Sequence, residues 1–350
     1  MKRKNRILLV AGGLAAAALV AVGVLRGLER TPHNASTYVM STVVTQRVYG
    51  LRAEQAMREV EAALREFEGR LSLFDPDSEI AAINAAAGDH PVEVSAATFE
   101  LLQQSLALSA ASEGAFDITI APLTQLWGVT TDHPRVPSQQ EIDDALLLIG
   151  DAEVQLDPQA RTVFLPRAGQ AIDLGGIAKG NACSLAQKIY EERGVRAAVL
   201  SIGGNVYVLG RNPDGAQFRV GFRTPKKADE SYIASVALED QVMAVSGGYE
   251  RYFEAEDGTR YHHILSGSTG YPAQSDIVSV GVICKDGTRA DFLSTTLFVW
   301  GSEKTKAFMR SHDDVAVILL TEEDELLVSR ALEDSFRLSE QGGGYRVTFI

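Results

Sequence analysis

Along the first half of the chain, apolar positions recur every three to four residues. Val60, Leu64, Phe67 and Leu71 fall on one face of a predicted helix over about 52–71. A turn at 71–80 leads into a shorter helix ending near Gly88. Ser95 is placed to cap a third, reaching 111, with Phe99, Leu102 and Leu106 turned inward. Ser138 and Glu141 form a capping-box pair that opens another. Ahead of the first helix, 39–48 is strand-like and contains Met40-Ser41-Thr42. The segments 154–156 and 162–165 predict a hairpin around Asp157-Pro158. A helix to about 193 follows a Gly-rich turn. Beyond it the pattern shifts to strands at 199–202, 206–209, 218–221, 233–238, 278–284, 315–320 and 345–349, interrupted by one helix at 291–300. The expectation is an α+β body: two intimately packed lobes of mixed or antiparallel sheet with flanking helices.

The first thirty residues do not fit that body. Lys2, Arg3, Lys4 and Arg6 precede an unbroken apolar run over 7–25, closed by Arg26. As a helix, about nineteen residues span roughly 28 Å, close to a bilayer core. Basic residues on the N-terminal side predict that this end stays cytoplasmic and the rest is exported. Residues 1–30 are therefore read as a signal or membrane anchor, with Ala21-Val22-Gly23 as a candidate cleavage site. Residues 31–37 are read as a linker and 38–350 as one body, placed on the exported face of the cytoplasmic membrane.

Charge sharpens the reading. The chain carries a net −13, and its first thirty residues hold six basic side chains against one acidic. The remainder is thus more acidic still, which excludes nucleic acid and requires a cation for any phosphate-rich ligand. Cys183 and Cys284 sit in apolar contexts without a CxxC and are expected to be buried free thiols.

Three stretches could carry chemistry. In Ile172-Asp173-Leu174-Gly175-Gly176-Ile177-Ala178-Lys179-Gly180, an apolar lead-in delivers a carboxylate, and two glycines precede a helix start. Glycine permits close backbone approach, and a helix start offers unpaired N–H groups to anionic oxygens. Asp173 acting only as a local cap is the plainer alternative. Asp291 and Thr295 stand at i and i+4 on one helix face, hard oxygen donors suited to Mg²⁺, although a carboxylate near a helix start is ordinarily a cap. His262 and His263 are adjacent on a strand and must face opposite ways. A Walker loop, an HExxH pair and a GxGxxG turn are all missing from the sequence.

Taken in order, these pieces resemble the ApbE-type flavin transferase family over about 38–302. The resemblance is carried by Met40-Ser41-Thr42, Leu73-Phe74 with Asp77-Ser78-Glu79-Ile80 and Asn84, Gly114-Ala115-Phe116-Asp117 with Leu126-Trp127-Gly128, the Asp173 stretch, Gly203-Gly204-Asn205, Ser246-Gly247, His263-Ile264, Thr269-Gly270-Tyr271-Pro272, and Ala290-Asp291 with Thr295. It implies an exported FAD:protein FMN transferase that uses Mg²⁺ to move FMN from FAD to a threonine or serine hydroxyl of an acceptor protein, releasing AMP. By that resemblance Met40, Phe74, Ala115, Phe116, Asp117, Asp173, Lys179 and Leu265 contact FAD. Gly176 (through its carbonyl), Asp291 and Thr295 hold Mg²⁺, and His263 transfers the proton, with His262 dispensable.

The chain departs from the family pattern at Ser41, usually Gly; at Val245, usually a hydroxyl residue; and at Ser266-Gly267, usually Asp-Pro. Two other readings share most of these motifs. An FAD pyrophosphatase differs only in accepting water, and a non-enzymatic exported FAD-binding protein needs neither metal nor His263.

Overall fold

The structure, a computed structural model, describes residue 27 and residues 29–223 and 232–350; the apolar segment predicted at 7–25 lies outside the described residues. The described chain opens on a hairpin. Strand β1 (Pro32–Val39) pairs antiparallel with β2 (Thr42–Tyr49) from Pro32↔Tyr49 to Val39↔Thr42. Residues 32–37, expected as a linker, are therefore an edge strand. Its alternating exposed and half-buried positions show why it does not read as one. The strand expected over 39–48 is likewise broken, because Met40 and Ser41 both take positive φ (57° and 54°) and form a two-residue hairpin turn.

The hairpin starts a nine-stranded sheet. After β1 and β2 come β6 (Ala197–Ile202), β7 (Asn205–Gly210), β10 (Gln241–Gly247), β13 (Ile277–Cys284), β14 (Ala316–Thr321), β15 (Glu325–Val328) and β17 (Arg346–Phe349). All neighbours are antiparallel except β15 and β17. The inner strands are buried on both faces, so they read as continuous apolar runs rather than as alternation. In β14, Val317 and Leu319 face one core while Ile318 and Leu320 face the other.

Helices α1 (Ala53–Leu71), α6 (Ala178–Glu192) and α7 (Gly287–Trp300) cover the first face, packing Leu64, Phe67, Ala186 and Leu297 around Leu200, Tyr207 and Val280. The second face is covered by a three-stranded sheet of β8 (Phe218–Arg223), β9 (Tyr232–Leu238) and β16 (Phe336–Leu338), with Phe222, Val236 and Phe336 in the core. A smaller sheet holds β3 (Val92–Glu93), β4 (Gln155–Asp157) and β5 (Thr162–Phe164), and β11 (Tyr252–Glu254) pairs with β12 (Arg260–His262). Helices α2 (Glu79–Ala85) and α3 (Ala96–Ser109) start where Ser78 and Ser95 cap them. Helices α4 (Ala121–Trp127) and α5 (Gln139–Leu146) build a third apolar cluster with Leu123, Trp127 and Ile142, and the expected Ser138/Glu141 capping box is formed. Helix α8 (Ser302–Ser311) follows α7 after Gly301.

One boundary changes the chemistry. Helix α7 does not start at Asp291. Its cap is Asp286, whose side chain accepts from the Arg289 N–H, so Asp291 lies in the helix interior and is 2% exposed. Both cysteines are free and buried, as expected.

Candidate active site

Two chain segments meet at the Asp173 turn. The Asp173 N–H donates to the Ile118 carbonyl (2.8 Å), and Ala171 bridges Ile120 in parallel. Asn84 clamps the preceding residue from both sides, donating to the Ile172 carbonyl and accepting from its N–H. Asp173 Oδ1 accepts from the Gly175 N–H (2.8 Å), and Oδ2 accepts from the Thr124 hydroxyl (2.9 Å). The local cap is thus real, but the carboxylate also ties α4 to the glycine turn.

Across this junction lies Asp117. Its Oδ1 accepts from both the backbone N–H and the hydroxyl of Thr119, and its Oδ2 from the Asp151 N–H. Thr119 in turn accepts from the Gly150 N–H. Burial, followed by the adjacent Asp117 charge, pushes the Asp151 carboxyl up to about 6. No motif marked Asp151, and no sequence spacing could have, since the loop fold alone brings it there. Phe116 lies between α7 and the glycine turn: its ring meets Phe292 of α7 edge-on at 5.0 Å, and a Cβ on Gly176 would come within 2.9 Å of it. Gly176 must therefore lack a side chain.

Helices α6 and α7 touch backbone to backbone. A Cβ on Gly180 would lie 2.0 Å from the Gly287 carbonyl oxygen, so only glycine allows the crossing. The crossing lays Asp291 over the first turn of α6. Its Oδ2 accepts from the Gly180 N–H (2.8 Å), one of the donors a helix start leaves unpaired, and Lys179 Nζ is 3.9 Å from Oδ1. Thr295, one turn along α7, has its hydroxyl 3.4 Å from the position a Gly176 Cβ would take. The structure thus brings Gly176, Lys179, Asp291 and Thr295 together.

No cluster of three or more His, Cys, Asp or Glu side chains suited to a metal occurs among the described residues. The Asp291 carboxylate, the Thr295 hydroxyl and the backbone at Gly176 instead offer only oxygen donors. That set fits Mg²⁺, which keeps several waters and takes few protein ligands.

The two histidines differ sharply. His263 places Nδ1 3.1 Å from the Arg251 carbonyl, which also accepts from the His263 backbone N–H. A carbonyl only accepts, so Nδ1 carries the hydrogen and Nε2 keeps its lone pair. Burial first, then the Lys179 charge, pushes this imidazole down to about 3. Arg251 also donates from its guanidinium to the Ser41 carbonyl (2.9 Å), fixing the Met40–Ser41 turn to the residue that anchors His263. His262 is not an idle surface residue: both of its ring nitrogens bond to main chain.

The remaining candidates are more separate. Phe74 stands 59% exposed on the turn after α1, held by backbone bonds to Ser72 Oγ. Ala115 precedes Phe116 on its loop. The Leu265 side chain is buried in the third apolar cluster, and its backbone bridges Pro272. Trp127 Nε1 donates to the Gly270 carbonyl, anchoring the Thr269–Pro272 turn there. The Ser266-Gly267 departure is tied into this turn through the Ser266 backbone, not to the His263 ring.

This α+β scaffold, with its glycine turn and its α6–α7 helix crossing, has solved counterparts. It superposes on the ApbE protein from Thermotoga maritima with a TM-score of 0.78 and 30% identity, covering 90% of this chain and 99% of that one. The apo flavinyl transferase ApbE from Pseudomonas stutzeri matches with a TM-score of 0.76 and 29% identity, over 87% and 96%. Curated relatives named FAD:protein FMN transferase include one from Klebsiella pneumoniae, 34% identical over 89% of this chain and 96% of its own length. Another, from Treponema pallidum, is 31% identical over 93% and 95%. The sequence model of the ApbE family matches residues 40–319, and the chain belongs to the ApbE family.

Proposed function

We propose that this enzyme is an FAD:protein FMN transferase, moving FMN from FAD to a threonine or serine hydroxyl of an acceptor protein with release of AMP. The observation that carries the reading is the tautomer of His263, whose Nδ1 is committed to the Arg251 carbonyl while Nε2 keeps an open lone pair.

In this reading His263 Nε2 takes the proton of the acceptor hydroxyl as its oxygen bonds to the FMN-side phosphorus. The bond from that phosphorus to the bridging oxygen breaks, and AMP leaves with the electron pair. Lys179 places a positive charge beside the phosphates, which an acidic chain otherwise repels. Burial first, and then the Lys179 charge, keeps His263 neutral before substrate binds. The phosphate charges of FAD oppose that effect and bring the imidazole toward the range where a base works at neutral pH.

Gly176, Asp291 and Thr295 would hold Mg²⁺. The ion supplies charge neutralisation of the transferring phosphoryl group. Asp117, Asp173, Met40, Phe74, Ala115, Phe116 and Leu265 are assigned to FAD through their positions in the family pattern. We further propose an exported location, resting on the basic–apolar pattern of residues 2–26.

The test is turnover of FAD with Mg²⁺, with and without an acceptor protein, following AMP release and flavin fluorescence on the acceptor. Transferase activity requires AMP and flavinylated acceptor in equal amounts. FMN and AMP formed equally well without acceptor return the chain to a pyrophosphatase, and no turnover in either arm to a flavin-binding protein.

A further inference from the structure

His262 is the last residue of β12, immediately before His263, and meets two other elements there. Its Nε2 is 3.1 Å from the Ala273 carbonyl, and its Nδ1 accepts from the Ile264 N–H at 3.2 Å. These contacts require a hydrogen on Nε2 and a lone pair on Nδ1, the reverse of the His263 tautomer. The Ala273 N–H donates to the Ile264 carbonyl, so His262 adds a side-chain stitch beside a main-chain one. The ring also meets Phe298 of α7 edge-on at 5.5 Å. Phe298 lies one turn beyond Thr295. A Cβ at Gly248 would come within 2.8 Å of the ring, so that backbone packs directly against it. His262 therefore contacts α7, the 273 segment and the Gly248 backbone at once.

We propose that His262 is a positioning residue. Its two main-chain hydrogen bonds and its contact with Phe298 lock residues 262–264 against α7, and so hold the His263 ring in register with Asp291 and Thr295. The chain direction makes the coupling unavoidable: residues 262 and 264 are both fixed by this one ring, leaving the residue between them no freedom to slide. Only with this backbone held does the Arg251 carbonyl stay within reach of His263 Nδ1 and set its tautomer. The inference rests on His263 being the base of the transfer reaction, and its test separates the two ideas.

Three variants dissect the ring. His262→Phe keeps the shape against Phe298 and Gly248 but makes neither hydrogen bond. His262→Asn places an acceptor near the Nδ1 position, and His262→Gln a donor near the Nε2 position. At saturating FAD, His262→Phe should lower kcat by about tenfold or more, within the range for misplacing a proton-transfer group. The KM for FAD should stay within about threefold, and Asn or Gln should recover part of the loss.

A His262→Phe rate within about twofold of the parent overturns the proposal, as does a loss matched by an equal loss of FAD affinity. Should the Phe variant not fold, Asn and Gln decide, because each keeps one bond and full parental kcat in both is incompatible with positioning. The activity-independent arm is ¹⁵N-histidine NMR on the FAD-free protein. The parent should show His263 hydrogen-bearing at Nδ1, and the His262 variants a tautomer mixture. An unchanged His263 signal overturns the positioning role whether or not the chain transfers FMN. A parent that shows the expected tautomers but no transfer overturns only the functional reading.

Discussion

The Gly180 amide donates a 2.8 Å hydrogen bond to Asp291 Oδ2, across a sequence separation of 111 residues. One helix thus supplies the cap of another, and the same carboxylate is the sole acidic member of the candidate metal site. A substitution at Asp291 therefore has two effects that must be separated.

Asp291→Ala should lower FMN transfer sharply and also cost about 1 kcal/mol of stability, the usual loss of an N-terminal helix acceptor. Asp291→Asn keeps an acceptor oxygen for the Gly180 amide but loses the charge. It should melt close to the parent while transferring far more slowly, with partial recovery at high Mg²⁺. Thermal melts and rates over a Mg²⁺ series check this. Parental transfer by Asp291→Asn in the presence of a chelator rules out the metal role.

Acid should destabilise the protein partly through its two site histidines. Burial holds His263 down at about 3 and lowers His262 as well, against an ordinary value of 6.5. Above about 6.5 both folded and unfolded chains carry these rings neutral, so they add no pH dependence. As pH falls below 6.5, the unfolded chain takes up protons that the folded one refuses, and stability drops. His263→Gln should flatten the denaturation midpoint between pH 6.5 and 4, retain FAD binding, and lose about 10²- to 10⁴-fold in transfer.

Asp151 should act with the opposite sign. Its folded carboxyl titrates at about 6 against a usual 3.8, raised by burial and by Asp117. Between those values the folded chain holds a proton the unfolded chain has released, so stability gained at low pH is lost as pH rises through 6. Asp151→Asn should be more stable than the parent at pH 7.5, by on the order of 1 kcal/mol, and lose that advantage near pH 4. Melting curves at the two pH values decide it.

Ser41 occupies a left-handed backbone position with φ 54°, where the family usually has glycine. A left-handed L-residue costs roughly 1–2 kcal/mol, offset in part by the greater unfolded freedom of glycine. Ser41→Gly should therefore raise stability by about 0.5–1 kcal/mol, measured by chemical denaturation, with the carbonyl bond to Arg251 kept.

Much of this architecture was legible in the sequence, and the gaps have identifiable causes. Helix α1 and the Ser138/Glu141 start were readable because periodicity and capping act over a few residues. Strand β10 was missed because Val242-Met243-Ala244 is buried throughout and ends at Gly247, leaving no alternation to see. Strand β1 was missed for the converse reason, being polar and mostly solvent-facing. Met40-Ser41 lacks the Gly or Asn that announces a tight hairpin turn. Asp286, not Asp291, proved to be the cap of α7, a distinction that turns on five residues of boundary.

The candidate site divides along the same line. Short motifs named Asp117, Asp173, Lys179, Asp291 and His263, but only the fold shows Asp173 paired to Ile118 and Gly180 to Asp291. The alternation expected of His262 and His263 does not apply, because β12 ends at His262 and His263 lies just beyond it. Alternation could not reveal that His262 is interior, bonded to Ala273 and packed on Phe298.

Strand β1 gives the molecule a ruler. It runs for eight residues from Pro32 to Val39, pinned along its length to β2, and delivers the chain directly into the Met40–Ser41 turn, which Arg251 ties to His263. At about 3.3 Å per residue, that is a stiff spacer of roughly 26 Å. Whatever precedes Pro32 is thus separated from the Met40–Ser41 turn by a rigid rather than a floppy length of chain.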